Sequence, residues 1–356
     1  MPMTPFSLLV KPVGARCNLA CDYCFYLDKS ALYPNGPALM PDTVMERMLK
    51  SYLSLPFDSF SIAFQGGEPL LAGLPFFRRA NDLAKKFLSP DRRLALSIQT
   101  NATLMTQDAA RFFADEECLV GVSVDGPAEV HDAHRVTPDG RGTHADVMRG
   151  IDAMHDAGCE YNVLTLVTGA NVREPGRIYR YVRDELGGKW QQYTDHLESV
   201  TTRQWDGFLV GVLDAWLADG DQGRVSVRNI DAAISYATIG RADQCIFADR
   251  CDGHVVVERN GDVYPCDFWC VDEYLLGNIK DGIESLTGSE CAVRFLDEGA
   301  AKPPEGCLSC PALIYCRGGC RRYRAEDGKY VFCEAEKALA GYAGERIKAL
   351  AAYLVR

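Results

Sequence analysis

Three cysteines at CxxxCxxC spacing, Cys17, Cys21 and Cys24, follow an apolar, strand-like run from Phe6 to Val10. Three thiolates can hold a [4Fe–4S] cluster by three of its irons, which leaves the fourth iron without a protein ligand. An iron left open in this way can bind a small chelating molecule. Zinc is the alternative for clustered thiols, but zinc sites more often use four ligands in paired CxxC form, and no fourth ligand lies nearby in the sequence. Two further groups of cysteines stand in the C-terminal third: Cys245, Cys251 and Cys266, then Cys307, Cys310, Cys316, Cys320 and Cys333. Together they supply eight thiols, the number that two fully ligated clusters require. Cys118, Cys159, Cys270 and Cys291 are left over. A buried free cysteine behaves as a small hydrophobe, the expected role of Cys118 and Cys159.

These groups need a scaffold, and the composition provides for one. The chain has 356 residues, 47% hydrophobic and 24% charged, enough for two domains with a large core. The N-terminus lacks a basic region followed by a long apolar stretch, and no apolar run approaches 18 residues, so neither a secretory signal nor a transmembrane helix is expected. Fifteen cysteines in such a chain point to metal rather than disulfides and to a reducing, cytoplasmic setting. A net charge of −11 disfavours nonspecific binding to nucleic acid or an anionic membrane.

From Ser7 to about Thr194, strand-like and helix-like segments alternate. The expected strands are Phe6–Val10, Ser59–Phe64, Leu94–Gln99, Val120–Val124, Tyr161–Val167 and Lys189–Tyr193. The expected helices are Thr43–Leu53, Pro75–Leu88, Asp108–Ala114, Ala145–Ala157 and Glu174–Leu186. Such alternation argues a parallel sheet with right-handed crossovers, and six units make an open, partial (β/α)6 barrel. In closed relatives of that architecture, chemistry sits at the C-terminal strand ends. The motifs fall there: the cysteines after the first strand, Gln65-Gly-Gly-Glu-Pro69 after the second, Gln99-Thr-Asn101 on the third and Ser123-Val-Asp-Gly126 on the fourth. Gly66 and Gly67 would let backbone approach a ligand closely. His131 and His134 are expected to be loop residues rather than metal ligands. Trp205–Leu217 reads as an amphipathic helix and Arg224–Ile230 as strand-like. Asn260-Gly261 marks a hairpin turn that delivers Tyr264-Pro-Cys266-Asp267, and Glu334–Leu354 closes the chain as a helix. The expected division is 1–235, barrel with linker helix, and 236–356, a cysteine-rich domain with the terminal helix.

The CxxxCxxC motif, with the aromatic Phe25 after its third cysteine, resembles that of the radical S-adenosylmethionine (SAM) enzymes. The resemblance implies that the amino and carboxylate groups of SAM chelate the open iron and that the Gly66-Gly67-Glu68 stretch holds the SAM amino group. It implies further SAM contacts at Asn101, Ser123, Asp125 and Arg135, the last as a charge-assisted partner of the carboxylate or else a surface arginine. Residues 245–333 resemble the SPASM extension of the same enzymes, through Gly-Asp-Val-Tyr-Pro-Cys266-Asp and Cys316-Arg-Gly-Gly-Cys320. That likeness implies two auxiliary [4Fe–4S] clusters, one on Cys245, Cys251, Cys266 and Cys320, the other on Cys307, Cys310, Cys316 and Cys333, making three clusters in all.

Taken whole, the chain resembles the anaerobic sulfatase-maturating enzymes, through Cys-Asp-Tyr-Cys-Phe-Tyr26, Phe-Gln65-Gly-Gly-Glu-Pro, Gln-Thr-Asn101 and Glu-Arg-Asn-Gly-Asp-Val-Tyr-Pro-Cys-Asp267. Those enzymes oxidise a cysteine or serine of a sulfatase polypeptide to formylglycine. The resemblance implies Asp267 as the base, its pKa expected to be raised by partial desolvation, and Tyr26 near the adenine side or in packing. It also implies a monomer supplied with electrons by a donor such as flavodoxin or ferredoxin. Two stretches depart from the family: Thr194-Asp-His-Leu-Glu198, where a longer substrate loop is usual, and Phe268-Trp-Cys270, where a His-Phe pair is common. The rival enzyme is a maturase of ribosomally made precursor peptides forming a thioether or carbon–carbon crosslink, many of which carry an N-terminal leader-binding domain for which the position of Cys17 leaves no room. The non-enzyme rival, a multi-cluster electron-transfer protein, would not need the Gly-Gly-Glu turn or the barrel.

Overall fold

A computed structural model of the protein describes residues 4–26, 29, 36–196, 199–240, 244–248, 250–299 and 303–354. In chain order the elements are β1 (Ser7–Val10), α1 (Asp42–Leu53), β2 (Ser59–Phe64), α2 (Leu74–Phe87), β3 (Arg93–Thr100), α3 (Gln107–Asp115), β4 (Leu119–Ser123), α4 (Ala128–His131), α5 (His144–Ala157), β5 (Tyr161–Val167), α6 (Pro175–Arg180) and β6 (Trp190–Asp195). There follow α7 (Thr202–Ala218), β7 (Ser226–Val227), α8 (Arg228–Ile239), β8 (His254–Val257), β9 (Asp262–Tyr264), β10 (Gly277–Asn278), α9 (Ile283–Thr287), α10 (Glu290–Gly299), α11 (Leu313–Cys316) and α12 (Cys333–Leu354). The helix ends carry the expected chemistry. Pro75 sits in the first turn of α2, the Thr106 hydroxyl caps α3, and Thr201 and Gln204 form a capping box on α7.

The chain divides into two compact units, each assembled from separate stretches. The first comprises Met1–Val122, His134–Tyr161 and Cys251–Glu298, and the second Ser123–Ala133, Asn162–Arg250 and Gly299–Arg356. In the first unit β1 to β4 are parallel and in chain order. β8 adds to the outer side of β1, also parallel, and turns back through Asn260-Gly261 into antiparallel β9 and β10. The register sets Val10 opposite both Phe64 and Val257, so the residues that follow β1, β2 and β8 leave the sheet on one edge. Leu8, Val10, Ile62, Val120, Val256 and Val257 are fully buried, the strand-core pattern expected of a sheet covered on its faces.

In the second unit β5, β6 and β7 are parallel. Its core gathers Tyr193, Trp205, Phe208, Tyr330 and Phe332, bringing β6, α7 and the segment before α12 together. The Arg224–Ile230 stretch differs from the strand expected of it: Ser226–Val227 alone pairs with β6, and α8 starts at Arg228. Asp231 in the first helical turn and buried Ile230 and Ile234 at helical spacing outweigh the short alternation before them. The helix expected over 174–186 is α6 followed by a π turn, Tyr181–Glu185. Leu197 and Glu198, in the shortened loop after β6, lie outside the described residues. Among the described residues no helix is long and apolar enough to cross a membrane.

Candidate active site

The loop before the first cysteine and the Gly-Gly turn clasp each other backbone to backbone. Gly67 N–H donates to the Gly14 carbonyl (2.9 Å) and Glu68 N–H to the Arg16 carbonyl (2.8 Å). A Cβ on Gly67 would lie 2.0 Å from the Arg16 oxygen, and one on Gly66, whose φ is +120°, 2.5 Å from the Gly14 oxygen. The close approach that requires these glycines is therefore that of the cysteine loop itself. Glu68 is fully buried, and its carboxylate accepts from Leu70 N–H (2.8 Å), the Thr100 hydroxyl (2.7 Å) and Asn101 N–H (2.7 Å). Burial pushes its pKa up to about 7 against the pull of those three donors. The Glu68 side chain is thus a joint between the ends of β2 and β3.

Asn101 is buried beside the first cysteine. Its amide donates to Asn18 Oδ1 (3.0 Å) and to Cys17 Sγ (3.7 Å), while its oxygen accepts from Thr103. Burial pushes the Cys17 thiol up to about 11, the Leu19 N–H opposes this, and Glu68, Cys21 and Cys24 add to it. Cys21 and Cys24 thus lie near enough to Cys17 for their charges to be felt there. Arg135 is buried, not a surface residue, with its guanidinium carbon 5.4 Å above the Tyr23 ring of the motif. His134 contacts both oxygens of Asp22 (3.0 and 3.1 Å) and packs against the same Tyr23, so it braces the loop between two candidate ligands. In the second unit Ser123 ends β4, buried. Asp125 is buried too, and its Oδ1 accepts from Leu166 N–H (3.1 Å). His131, expected in a loop, ends the short helix α4, is fully buried and accepts from Asp125 N–H at 3.5 Å.

Asp267 lies in a buried, charged nest in the first unit. The Tyr26 hydroxyl donates to its Oδ2, and Gln65 Nε2 reaches the same hydroxyl at 3.4 Å. Lys11 Nζ is 2.6 Å from Oδ1, and Lys29 Nζ, 3.8 Å from Oδ1, also donates to the Asp267 carbonyl. Lys11 further binds Glu258 Oε1 (2.9 Å) and Cys270 Sγ (3.4 Å). This overturns the expected raised pKa. Burial pulls the Asp267 carboxyl toward protonation, but Lys11, Lys29 and the Tyr26 hydroxyl outweigh it and hold it below the ordinary aspartate range. Burial alone would lower Lys11, but Asp267 and then Glu258 raise it above its ordinary value. Three of these partners escape sequence reasoning. Lys11 and Glu258 each stand just past a strand end, the one signal that marks them. Lys29 carries none. Cys270 is fully buried among Val256, Tyr264 and Leu9, in a small core rather than on a substrate face.

The remaining cysteines sort by unit. Cys307, Cys310, Cys316 and Cys333 all lie in the second unit and sense one another. Burial pushes the Cys316 thiol up to about 11, with Glu336, Cys333 and Cys310 adding to it, and Cys307 and Cys310 raise Cys333. Four thiols within one unit match in number the donor set of an iron–sulfur cluster, whose positive iron would favour the thiolate form. Of the other expected set, Cys251 and Cys266 belong to the first unit and Cys245 and Cys320 to the second. Among the described residues no three His, Cys, Asp or Glu side chains are grouped as a single metal ion would need. Cys118 and Cys159 are buried, donating weakly to the Leu119 and Glu160 carbonyls.

The chain is similar to known proteins over nearly its whole length. The Radical SAM superfamily pattern matches residues 12–182, and the SPASM iron–sulfur cluster-binding domain matches residues 245–311. A cysteine-type anaerobic sulfatase-maturating enzyme of Clostridium perfringens (strain 13) is 35% identical over 366 aligned residues, covering 97% of this chain and 98% of the relative. A serine-type enzyme of Bacteroides thetaiotaomicron is 32% identical over 91% of this chain and 85% of its own. Among solved structures, native anSMEcpe with bound AdoMet matches at a TM-score of 0.90 and 33% identity, covering 98% of this chain and 99% of that one. SuiB bound to its precursor peptide SuiA, at 16% identity and a TM-score of 0.61, shares the fold alone. The fold class is the α/β partial (β/α)6 barrel of the radical SAM type with a C-terminal SPASM region and a terminal helix. The cofactors are three [4Fe–4S] clusters and SAM. This chain is a radical SAM enzyme and belongs to the anaerobic sulfatase-maturating enzymes.

Proposed function

We propose that the chain oxidises a cysteine or serine residue of a sulfatase polypeptide to formylglycine, with Asp267 as the base. Near full-length similarity to both cysteine- and serine-type maturases carries this reading. Cys17, Cys21 and Cys24 hold the SAM-site cluster. Cys245, Cys251, Cys266 and Cys320 hold one auxiliary cluster, and Cys307, Cys310, Cys316 and Cys333 the other. SAM is met by the carbonyls of the Gly66-Gly67 turn and by groups around Tyr26, Gln65, Glu68, Asn101, Ser123, Asp125 and Arg135. When bound, these cofactors supply a 5′-deoxyadenosyl radical that takes one hydrogen atom from the target Cβ and an oxidised auxiliary cluster that takes the remaining electron. Asp267 takes the thiol or hydroxyl proton. Loss of a hydrogen atom, a proton and an electron leaves a thioaldehyde or an aldehyde, and water then replaces sulfur, released as hydrogen sulfide. Tyr26 and Lys11 hold the Asp267 carboxylate in place. Asn101 and the Gly-Gly clasp fix the loop that carries Cys17. The domain boundary falls at 235/236. A monomer in the cytoplasm, reduced by a flavodoxin or ferredoxin, suits a chain of net charge −11 whose thiols are used for metal.

The test offers reduced, anaerobically reconstituted protein SAM together with a Cys-containing or a Ser-containing sulfatase peptide. Formylglycine in either peptide, detected by mass, is the expected outcome. Production of 5′-deoxyadenosine with a crosslinked peptide, and never formylglycine, would move the chain to the peptide-crosslinking class.

A further inference from the structure

Lys11 is the first residue beyond β1 and Glu258 the first beyond β8. The parallel register of these strands, Val10 opposite Val257, sets the two side by side, and Lys11 N–H donates to the Val257 carbonyl (3.0 Å). Lys11 is 1% exposed, and its ammonium meets three partners at 2.6, 2.9 and 3.4 Å: Asp267 Oδ1, Glu258 Oε1 and Cys270 Sγ. Glu258 Oε1 and Cys270 Sγ accept hydrogen bonds from it, and Asp267 Oδ1 meets it as a close ion pair. It also lies 5.2 Å from the centroid of the Tyr26 ring. A buried ion set of this kind is rarely the most stable filling for such a place, since apolar side chains of similar volume often serve the fold as well or better. The lysine is explained by what it holds. Lys29 holds something different: it binds the Asp267 carbonyl and approaches Oδ1 loosely at 3.8 Å, which secures the loop rather than the carboxylate.

We propose that Lys11, backed by Glu258, is a positioning residue of the oxidation: it pins Asp267 Oδ1 so that Oδ2, on the Tyr26 hydroxyl, keeps one orientation toward the substrate. This rests on the reading of Asp267 as the base. Glu258 also holds the ammonium, at 2.9 Å, so the carboxylate cannot turn without breaking an ion pair that is sealed from water. Hydrogen abstraction and SAM cleavage do not depend on that orientation, whereas collecting the substrate proton does.

Lys11→Met alone leaves two buried carboxylates short of a cation and is prone to misfold. The informative protein is Lys11→Met/Glu258→Gln, which removes one positive and one negative charge together. It is expected to keep the iron of three clusters, an unfolding temperature close to wild type, the KM for peptide and the rate of 5′-deoxyadenosine formation. Formylglycine per 5′-deoxyadenosine should fall about 10- to 100-fold, the scale of a misplaced catalytic group. Its crystal structure should show the Asp267 carboxylate turned off the Tyr26 hydroxyl. An unchanged ratio in the double variant, with Asp267→Asn uncoupled, overturns the role of Lys11 and leaves the base in place. An unchanged ratio in both overturns the base reading itself. Loss of iron in the double variant would make Lys11 a scaffold residue and overturn the proposal.

Discussion

Asp267→Asn should keep all three clusters and still make 5′-deoxyadenosine, while formylglycine falls about 10²–10⁴-fold, the usual worth of a general base. Asparagine preserves the size and an oxygen for the Tyr26 hydroxyl but removes the acceptor charge that Lys11 and Lys29 face. The direction of the Asp267 shift sharpens this expectation. A carboxylate held below the ordinary aspartate range is ionised whenever substrate arrives, but it is a weak base. Taking the proton of an unreacted thiol would thus be uphill. Proton transfer therefore belongs with or after removal of the Cβ hydrogen, and losing the acceptor should strand the reaction after SAM has been cleaved. The ratio of 5′-deoxyadenosine to formylglycine, wild type against variant, measures it. An unchanged ratio at full activity would remove Asp267 from the mechanism. A loss of iron together with activity would instead make Asp267 a brace for the Cys266 loop.

The joint replacement Cys17→Ala, Cys21→Ala and Cys24→Ala should abolish SAM cleavage and leave about two-thirds of the iron. Wild type should carry about 12 iron atoms as three four-iron clusters, of which the triple variant keeps about eight. The set Cys307, Cys310, Cys316 and Cys333 belongs to the second compact unit while the substituted residues belong to the first, and the set with Cys251 and Cys266 shares no thiol with them, so both auxiliary sets should keep their iron. Iron analysis and chromatography of 5′-deoxyadenosine read both effects. SAM cleavage by the triple variant would show that another site performs it. About four irons in the wild type would refute the auxiliary clusters.

The strand–helix alternation is legible because β1 to β5 are short, largely apolar runs bounded by turn signals, with the polar β6 as the exception, and the observed strands start and end within about two residues of the expected positions. The cysteine motif and the Asn260-Gly261 hairpin were legible for a similar reason, since both are local. What escaped is non-local. Nothing around His254–Val257 announces that the strand pairs in parallel with β1, and without that pairing Lys11 and Glu258 have no reason to be neighbours. The pKa of Asp267 was expected to rise because burial is guessable from sequence, whereas two lysines far away in the chain are not. Gly66 and Gly67 were read as room for a ligand, and the structure spends that room on the backbone of residues 14–16. Nor does the sequence show that the three donors to the Glu68 carboxylate come from the end of the next strand and its own loop.

The central claim, that the chain takes a hydrogen atom from the Cβ of a sulfatase cysteine and converts that residue to formylglycine, is tested most directly by isotope transfer. A Cys-containing sulfatase peptide deuterated at Cβ is incubated with the reduced holoenzyme and unlabelled SAM, and both products are analysed by mass spectrometry. The account predicts deuterium in 5′-deoxyadenosine, one for one with formylglycine formed. Deuterium-free 5′-deoxyadenosine beside an unmodified peptide, or label transfer into a crosslinked product, would contradict it.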